Sequence, residues 1–430
     1  MRPRQGGLRA IDRRSRALQS PPNLPREPMA FHVRHPHTLA FGPRRAGAWT
    51  FSLLFFLESV ARASLVTVLP LTAFALFGSK EAVSLTYSLV SVAALGFTFA
   101  IPTLVRRLSR RWAYTLGATL LGLYAALLAL DAAPALVVAM FCRTAGAAML
   151  NVTLSLYIMD NIGRRDLTRS EPLRLAISTL AWGFAPYLGV RLMETAGLWA
   201  PAILSLSASA ALAALFWALR LAEGGPIGAG RPPAPMRHPL AAARRFAAQP
   251  RLRLAWAIAF ARSAFWTTFF VYVPILMVEG GLDATAGGIA VAAGNLMLLN
   301  NLFTRRWAEG HGLRRVLGLS LIAAGTMALA AGLLSLRLPA AAGVAMVAGG
   351  FFTAILDGLG PVPFLRAVRV HERAEMTAVY RTYLDASELL PPLAYFFLFQ
   401  VGGYVAAFAA LAALLATVGG LTLRHLPRGM

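Results

Sequence analysis

The chain has 430 residues, of which 57% are hydrophobic and only 14% are charged, and its mean hydropathy is +0.61. A water-soluble protein of this length needs far more charge on its surface, so the composition excludes an ordinary soluble fold. In a soluble protein the net charge of +23 would suggest a nucleic-acid partner. The hydropathy excludes that class of function.

The first 46 residues contain ten arginines and no apolar run. They lack the hydrophobic region of a signal peptide, and their prolines disfavour the amphipathic helix of an organellar transit peptide. We predict a disordered, basic cytoplasmic tail over residues 1–46. A translation start at Met29 is the alternative.

Twelve apolar stretches follow, each close to the roughly 20 residues that a helix needs to cross a bilayer. They lie at 50–77, 83–105, 112–130, 134–159, 175–190, 198–219, 254–278, 285–303, 316–336, 339–365, 382–401 and 403–423. We therefore predict an all-α membrane protein with twelve transmembrane helices.

Basic residues concentrate in every second gap between these stretches. They cluster before residue 47 and at 106–111, 164–174, 220–253, 305–315, 366–381 and 424–428. The intervening gaps hold only Lys80, Arg191 and Arg337. Because Lys and Arg near membrane segments are retained on the cytoplasmic side, we predict that both termini are cytoplasmic.

The segment 223–250 is rich in proline, glycine and arginine and contains no apolar span, which is typical of a linker. The sequence "VARAS" at 60–64 is echoed by "FARSA" at 260–264, at equivalent points of the two halves. The predicted domains are two pseudo-symmetric six-helix bundles at 47–222 and 251–424, the linker between them, and a cytoplasmic tail at 425–430.

The gap after the second stretch carries the clearest motif. PTLVRRLSRR at 102–111 is similar to the pattern G-x-L-x-D-R-x-G-R-R of the major facilitator superfamily. It keeps the leucine and three arginines of that pattern, while Pro102, Arg106 and Ser109 replace its first glycine, aspartate and second glycine. The stretches RTAG at 143–146 and GFAPYLG at 183–189 resemble shorter motifs of the same family.

The resemblance implies a secondary active transporter that works by alternating access, and not an enzyme. It also implies that helices 1, 4, 7 and 10 line a central cavity and that helices 3, 6, 9 and 12 lie outside. The sequence contains no Gly-rich phosphate-binding loop, so no motif in it indicates the use of ATP.

Seven charged residues lie within the predicted spans, where a charge is costly and usually functional or paired. They are Glu58, Arg62, Arg143, Arg262, Asp357, Asp385 and Glu388. All fall on helices 1, 4, 7, 10 and 11, which agrees with the cavity-lining helices that the resemblance implies.

Their positions suggest individual roles. Glu58 and Arg62 are four residues apart and share a helix face, so they can pair; Arg262 can pair with Asp357. We predict that Glu58 and Asp357 couple transport to protons, and that Arg62, Arg143 and Arg262 face the cavity and bind an anionic group of the substrate. Purely structural ion pairs are the alternative.

We predict a gate at the cytoplasmic ends of the helices. Its candidate residues are Arg106, Arg107, Arg110, Arg111, Asp385 and Glu388. Aromatic residues that can shape the cavity wall are Trp182, Trp256, Trp266, Phe269, Phe270 and Tyr272, for which lipid contact or packing is the alternative.

The only cysteine, Cys142, lies within a span, and the histidines lie outside the spans, so the sequence predicts no metal and no cofactor. We predict a monomer that moves a small organic solute across the bacterial inner membrane with protons. The alternatives are an exporter of amphipathic drugs, a lipid flippase, and a non-transporting receptor on the same scaffold.

Overall fold

The computed structural model describes residues 48–161, 164–219, 239–369 and 372–427, and all regular structure within these ranges is helical. The predicted tail at 1–46 lies outside the described residues. Residues 223–238, which are most of the predicted linker, and the last three residues also lie outside them.

The first half of the chain forms six helices. These are α1 (Ala48–Ala63), α2 (Val68–Phe77), α3 (Lys80–Leu128), α4 (Ala133–Asn161), α5 (Arg164–Ala196) and α6 (Trp199–Ala218). The first predicted span is divided into α1 and α2. The second and third spans join into α3, which bends at Ser109.

The second half begins with a short helix that lies inside the predicted linker. Its elements are α7 (Pro239–Ala248), α8 (Pro250–Glu279), α9 (Ala284–Leu296), a 3₁₀ turn (Met297–Asn300), α10 (Asn301–His311), α11 (Leu313–Leu334), α12 (Pro339–Leu359), α13 (Val362–Ala367) and α14 (Arg373–His425). The last two predicted spans form α14, which bends at Gly402 and Gly403.

Eight helical segments of the described chain are long and apolar enough to cross a membrane. Large apolar side chains on their outer faces are exposed, among them Phe99 at 74% and Val401 at 87%. Helix α14 has 53 residues, or about 80 Å at 1.5 Å per residue, against about 30 Å for a hydrocarbon core. One crossing cannot contain it, so the bend at Gly402 and Gly403 is where a reversal is possible.

The helices of each half pack mainly on one another. Helix α3 packs on α4 and α6, and α1 packs on α5 and α6. In the second half α11 packs on α12 and α14, while α8 packs on α14 and α9. The halves meet where α5 contacts α9, α3 contacts α14, and α2 contacts α8. Of these helices, α2, α3, α5, α8 and α14 line the cavity described next.

Candidate functional site

A cavity of about 200 Å³ lies between the two halves of the chain. Its wall comes from α1, α2, α3, α4 and α5 on one side and from α8 and α14 on the other. Three of its lining side chains are charged: Arg62, Arg143 and Glu388. Two predicted substrate residues and one predicted gate residue therefore share one space.

Arg62 is held by the residue one helical turn before it. Its Nη1 lies 3.3 Å from Oε1 of Glu58, which is only 2% exposed. On its other side the guanidinium lies 5.7 Å from the ring centroid of Trp182 on α5, in cation–π geometry. Glu58 itself does not line the cavity, so Arg62 separates the buried carboxylate from the open space.

Arg143 on α4 and Glu388 on α14 line the same cavity as Arg62. Each is half-buried, and neither forms an ion pair or a side-chain hydrogen bond with another described residue. They interact electrostatically with each other and with Tyr87, which also lines the cavity. Ser91 on α3 donates a hydrogen bond to the backbone carbonyl of Glu388 at 3.0 Å, which fixes α14 against α3.

One wall of the cavity is aromatic. Trp266 and Phe270, one turn apart on α8, stack with centroids 5.5 Å apart, and Phe270 lies 6.0 Å from Trp182. All three line the cavity, as the sequence suggested. Trp256, Phe269 and Tyr272 do not line it: Phe269 packs in the core, and Tyr272 bonds to Ser84.

Arg262 and Asp357 form a second ion pair, in which both side chains are half-buried and which contacts the aromatic wall through Trp266. Arg262 donates a hydrogen bond to Oδ1 of Asp357 and, at 3.3 Å, another to the Tyr383 hydroxyl. The indole nitrogen of Trp266 donates to Oδ2 of Asp357 at 2.9 Å. Neither Arg262 nor Asp357 lines the cavity, but the pair holds a residue that does.

Apart from Glu388, the predicted gate residues lie away from the cavity wall. Arg107 is exposed, and Arg110 and Arg111 are half-buried beside the bend of α3. Asp385 is half-buried, one helical turn from Glu388. The side chain of Arg106 lies outside the described part of the structure.

The two halves are joined by polar contacts at the end of the bundle where α3 begins, which we call the Lys80 end. Nζ of Lys80 lies 2.5 Å from Oε1 of Glu279. The other carboxylate oxygen of Glu279, Oε2, accepts a hydrogen bond from the Tyr404 hydroxyl at 2.7 Å. Glu194 on α5 accepts from the backbone nitrogen of Thr285 on α9 at 2.8 Å. The sequence analysis missed these contacts, although Lys80, the single lysine of the chain, marked one of them.

Among the described residues, no cluster of three or more His, Cys, Asp or Glu side chains could hold a metal. The cavity wall itself offers charged side chains, hydroxyl groups and aromatic rings.

The fold and the sequence were compared with known proteins. A peptide transporter POT in complex with sulfate is similar at a TM-score of 0.71 and 14% identity, covering 90% of this chain and 96% of that one. A POT family transporter in complex with 5-aminolevulinic acid gives 0.70 and 13%, with 87% and 95% covered. The nucleoside transporter NupG gives 0.64 and 13%, with 88% and 98% covered. At these identities the likeness shows the fold alone.

In sequence, no curated protein matches the chain. The family described as Major Facilitator Superfamily matches residues 51–308, more than half of the chain. The predicted resemblance is thus confirmed, and so is a multi-pass membrane protein of transporter type. The chain belongs to the Major Facilitator Superfamily.

Proposed function

We propose that this protein is a secondary active transporter that moves a small organic solute by alternating access. The observation that carries the proposal is the cavity between the halves, with Arg62, Arg143 and Glu388 in its wall. Solutes bound by structures of the same fold include a peptide conjugate and 5-aminolevulinic acid. The volume of about 200 Å³ suits a small solute better than a lipid, which argues against a flippase.

The proposed topology has twelve crossings, with both termini in the cytoplasm of a bacterial cell. Helices α3 and α14 supply two crossings each, since each is too long for one and bends at a non-helical residue. The one-sided distribution of arginine supports the orientation. One chain encloses the cavity, so a monomer suffices.

We propose that an anionic group of the solute binds at Arg143, with Arg62 beside it. Arg143 faces the cavity without a paired carboxylate among the described residues, whereas Arg62 already contacts Glu58. Arginine presents several donors in a planar fork that suits a carboxylate. Arg262 contributes indirectly, because Asp357 holds Trp266 in place.

Proton coupling is proposed for Glu58 and Asp357. Each is a carboxylate paired with an arginine next to the cavity, so protonation would release that arginine. We expect Glu58→Gln, and separately Asp357→Asn, to retain solute exchange but lose accumulation driven by a pH gradient. Control variants are Asp283→Asn and Glu375→Gln, which lie away from the cavity. Accumulation unchanged in Glu58→Gln would remove Glu58 from the coupling role.

The transport proposal itself is tested in proteoliposomes that contain the full chain. A panel of labelled amino acids, short peptides, nucleosides and organic acids is offered with and without an imposed pH gradient. We expect saturable uptake of at least one solute, accelerated by the gradient. Binding without flux would indicate a receptor instead, and movement of labelled lipid alone would indicate a flippase.

A further inference from the structure

Two of the three charged residues in the cavity wall have no close ion-pair partner among the described residues. Arg62 is neutralised by Glu58 at 3.3 Å. This leaves one cation, Arg143, and one anion, Glu388, each without an ion-pair partner within 4.0 Å among the described residues. The open space therefore has a net charge near zero, with a positive and a negative group kept apart.

The two unpaired groups belong to different halves of the molecule. Arg143 projects from α4 and Glu388 from α14, and Tyr87 interacts electrostatically with both. The hydrogen bond from Ser91 to the Glu388 carbonyl holds the backbone at that point. A bound molecule that contacts both charges would bridge the two halves.

The aromatic wall lines the same cavity as the two charges. Trp266 and Phe270 are stacked within 18° of parallel, and the Trp266 indole nitrogen is already bonded to Asp357 at 2.9 Å. Both rings line the cavity, and the polar atom of Trp266 is already occupied. Such a surface favours an apolar or aromatic side group.

We propose that the solute is a small zwitterion whose carboxylate binds Arg143 and whose ammonium group binds Glu388. Its apolar side group packs on Trp266 and Phe270. The inference rests on the proposed function and names the substrate class of the same site. A cavity of about 200 Å³, below the roughly 300–1,000 Å³ of pockets for drug-sized ligands, limits the solute to about the size of an amino acid.

A solute with one charge fits this wall less well. An anion would neutralise Arg143 but leave Glu388 confined without a counter-charge, and a cation would leave Arg143 in that position. An uncompensated charge in a dehydrated site is costly. A zwitterion with separated charges compensates both at once.

The test uses three probes that share one side group: L-phenylalanine, N-acetyl-L-phenylalanine and L-phenylalanine amide. L-Leucine and its two matching derivatives form a second set. Binding to the purified full chain is measured by calorimetry and checked by counterflow in proteoliposomes. We expect a zwitterion to bind and each singly charged derivative to bind about tenfold more weakly or worse.

Two substitutions should change this selectivity in opposite directions. Glu388→Gln should weaken binding of the zwitterion about tenfold. It should strengthen binding of the N-acetyl derivative, because the variant no longer has the unpaired carboxylate of Glu388 in the cavity wall. Arg143→Gln should weaken the zwitterion and the N-acetyl derivative but not the amide. Arg143→Lys keeps the charge and should keep the order of preference. Arg337→Gln, at an exposed position in the turn between α11 and α12, is the control.

The inference is overturned if neither zwitterion binds, or if Glu388→Gln changes binding of all three probes of a set equally while thermal unfolding stays at the parental temperature. Flux of an anion or a neutral solute, with no binding of zwitterions, would overturn the inference and leave the transport proposal standing. Binding of zwitterions without flux of any solute would overturn the transport proposal and leave the inference about the ligand standing.

Discussion

Ser109 has a backbone conformation that few side chains adopt. Its φ is 63° and its ψ is 157°, in a region occupied almost only by glycine. The superfamily pattern has its second glycine at this position. The bend of α3 therefore depends on a strained residue that replaces the usual one.

We predict that Ser109→Gly increases the free energy of unfolding. Relief of about 1–3 kcal/mol of strain exceeds the roughly 0.5–1 kcal/mol that glycine costs in backbone entropy. Unfolding in detergent, followed by denaturant titration, measures the change. Ser207→Gly, on an exposed face of regular helix α6, is the control and should lose stability. Equal losses in both variants would show that Ser109 is not strained.

The contacts of a charged residue are easier to predict when its partner is close in sequence. Glu58 and Arg62 were predicted to pair because four residues place them on one helix face, and they do. Arg262 and Asp357, 95 residues apart in sequence, were also predicted to be able to pair, and they do. Glu388 was assigned to a gate because depth along a helix does not show which face of α14 meets α3. That contact depends on tertiary packing.

At the scale of helices, the closest approach involves Gly189 of α5. A Cβ atom at this position would lie 1.7 Å from the carbonyl oxygen of Ser64, at the point where α1 ends. The break between α1 and α2 and the glycine of α5 thus fit against each other. Gly288 of α9 sits closely on the other side of α5, 3.3 Å from the Pro186 carbonyl by the same measure.

We predict that Gly189→Ala destabilises the protein by about 1–3 kcal/mol or more, because the backbone carbonyl of Ser64 cannot move away cheaply. Gly96→Ala is the matched control, since a Cβ there has no neighbour within 4 Å, and it should gain about 0.5–1 kcal/mol. Thermal unfolding of the two variants in detergent compares them. A Gly189→Ala protein as stable as the parent would contradict the observed packing.

Helix existence was easier to predict than helix ends. Apolar stretches identify membrane segments because a helix needs an apolar surface in lipid. The predicted spans were divided at 105–112 because of the arginines there, and at 401–403 because of the glycines there. The structure instead continues α3 and α14 through these points with a bend. The predicted span 285–303 is in turn divided by the 3₁₀ turn Met297–Asn300. Hydropathy alone does not report such local backbone geometry.

At the scale of the whole molecule, orientation is open to a direct test. Cys142 is the only cysteine and is 3% exposed, so Cys142→Ala provides a background free of thiols. We predict that Ala132→Cys reacts with a membrane-impermeant thiol reagent in intact cells, and that Ala243→Cys reacts only after permeabilisation. Both positions are exposed alanines. Labelling of both on the same side would contradict the proposed topology.

Alternating access requires the contacts at the Lys80 end to open. Lys80, the first residue of α3, pairs with Glu279, the last residue of α8 in the other half. By the proposed orientation this end faces away from the cytoplasm. If the two halves rock about the cavity, this contact must break at some stage for solute to cross.

We therefore predict that cross-linking Lys80→Cys to Glu279→Cys on the Cys142→Ala background abolishes uptake of the solute that the proteoliposome panel identifies, and that a cleavable linker restores uptake on reduction. The control pair is Arg245→Cys with Glu375→Cys. In the parent, Nη2 of Arg245 lies 2.5 Å from Oε2 of Glu375, and this contact joins α7 and α14 of the same half. Cross-linking this pair should leave uptake intact, because no movement between the halves is blocked. Unchanged uptake in the cross-linked Lys80 and Glu279 variant would mean that this end stays closed throughout the cycle, which rocking of the two halves does not allow.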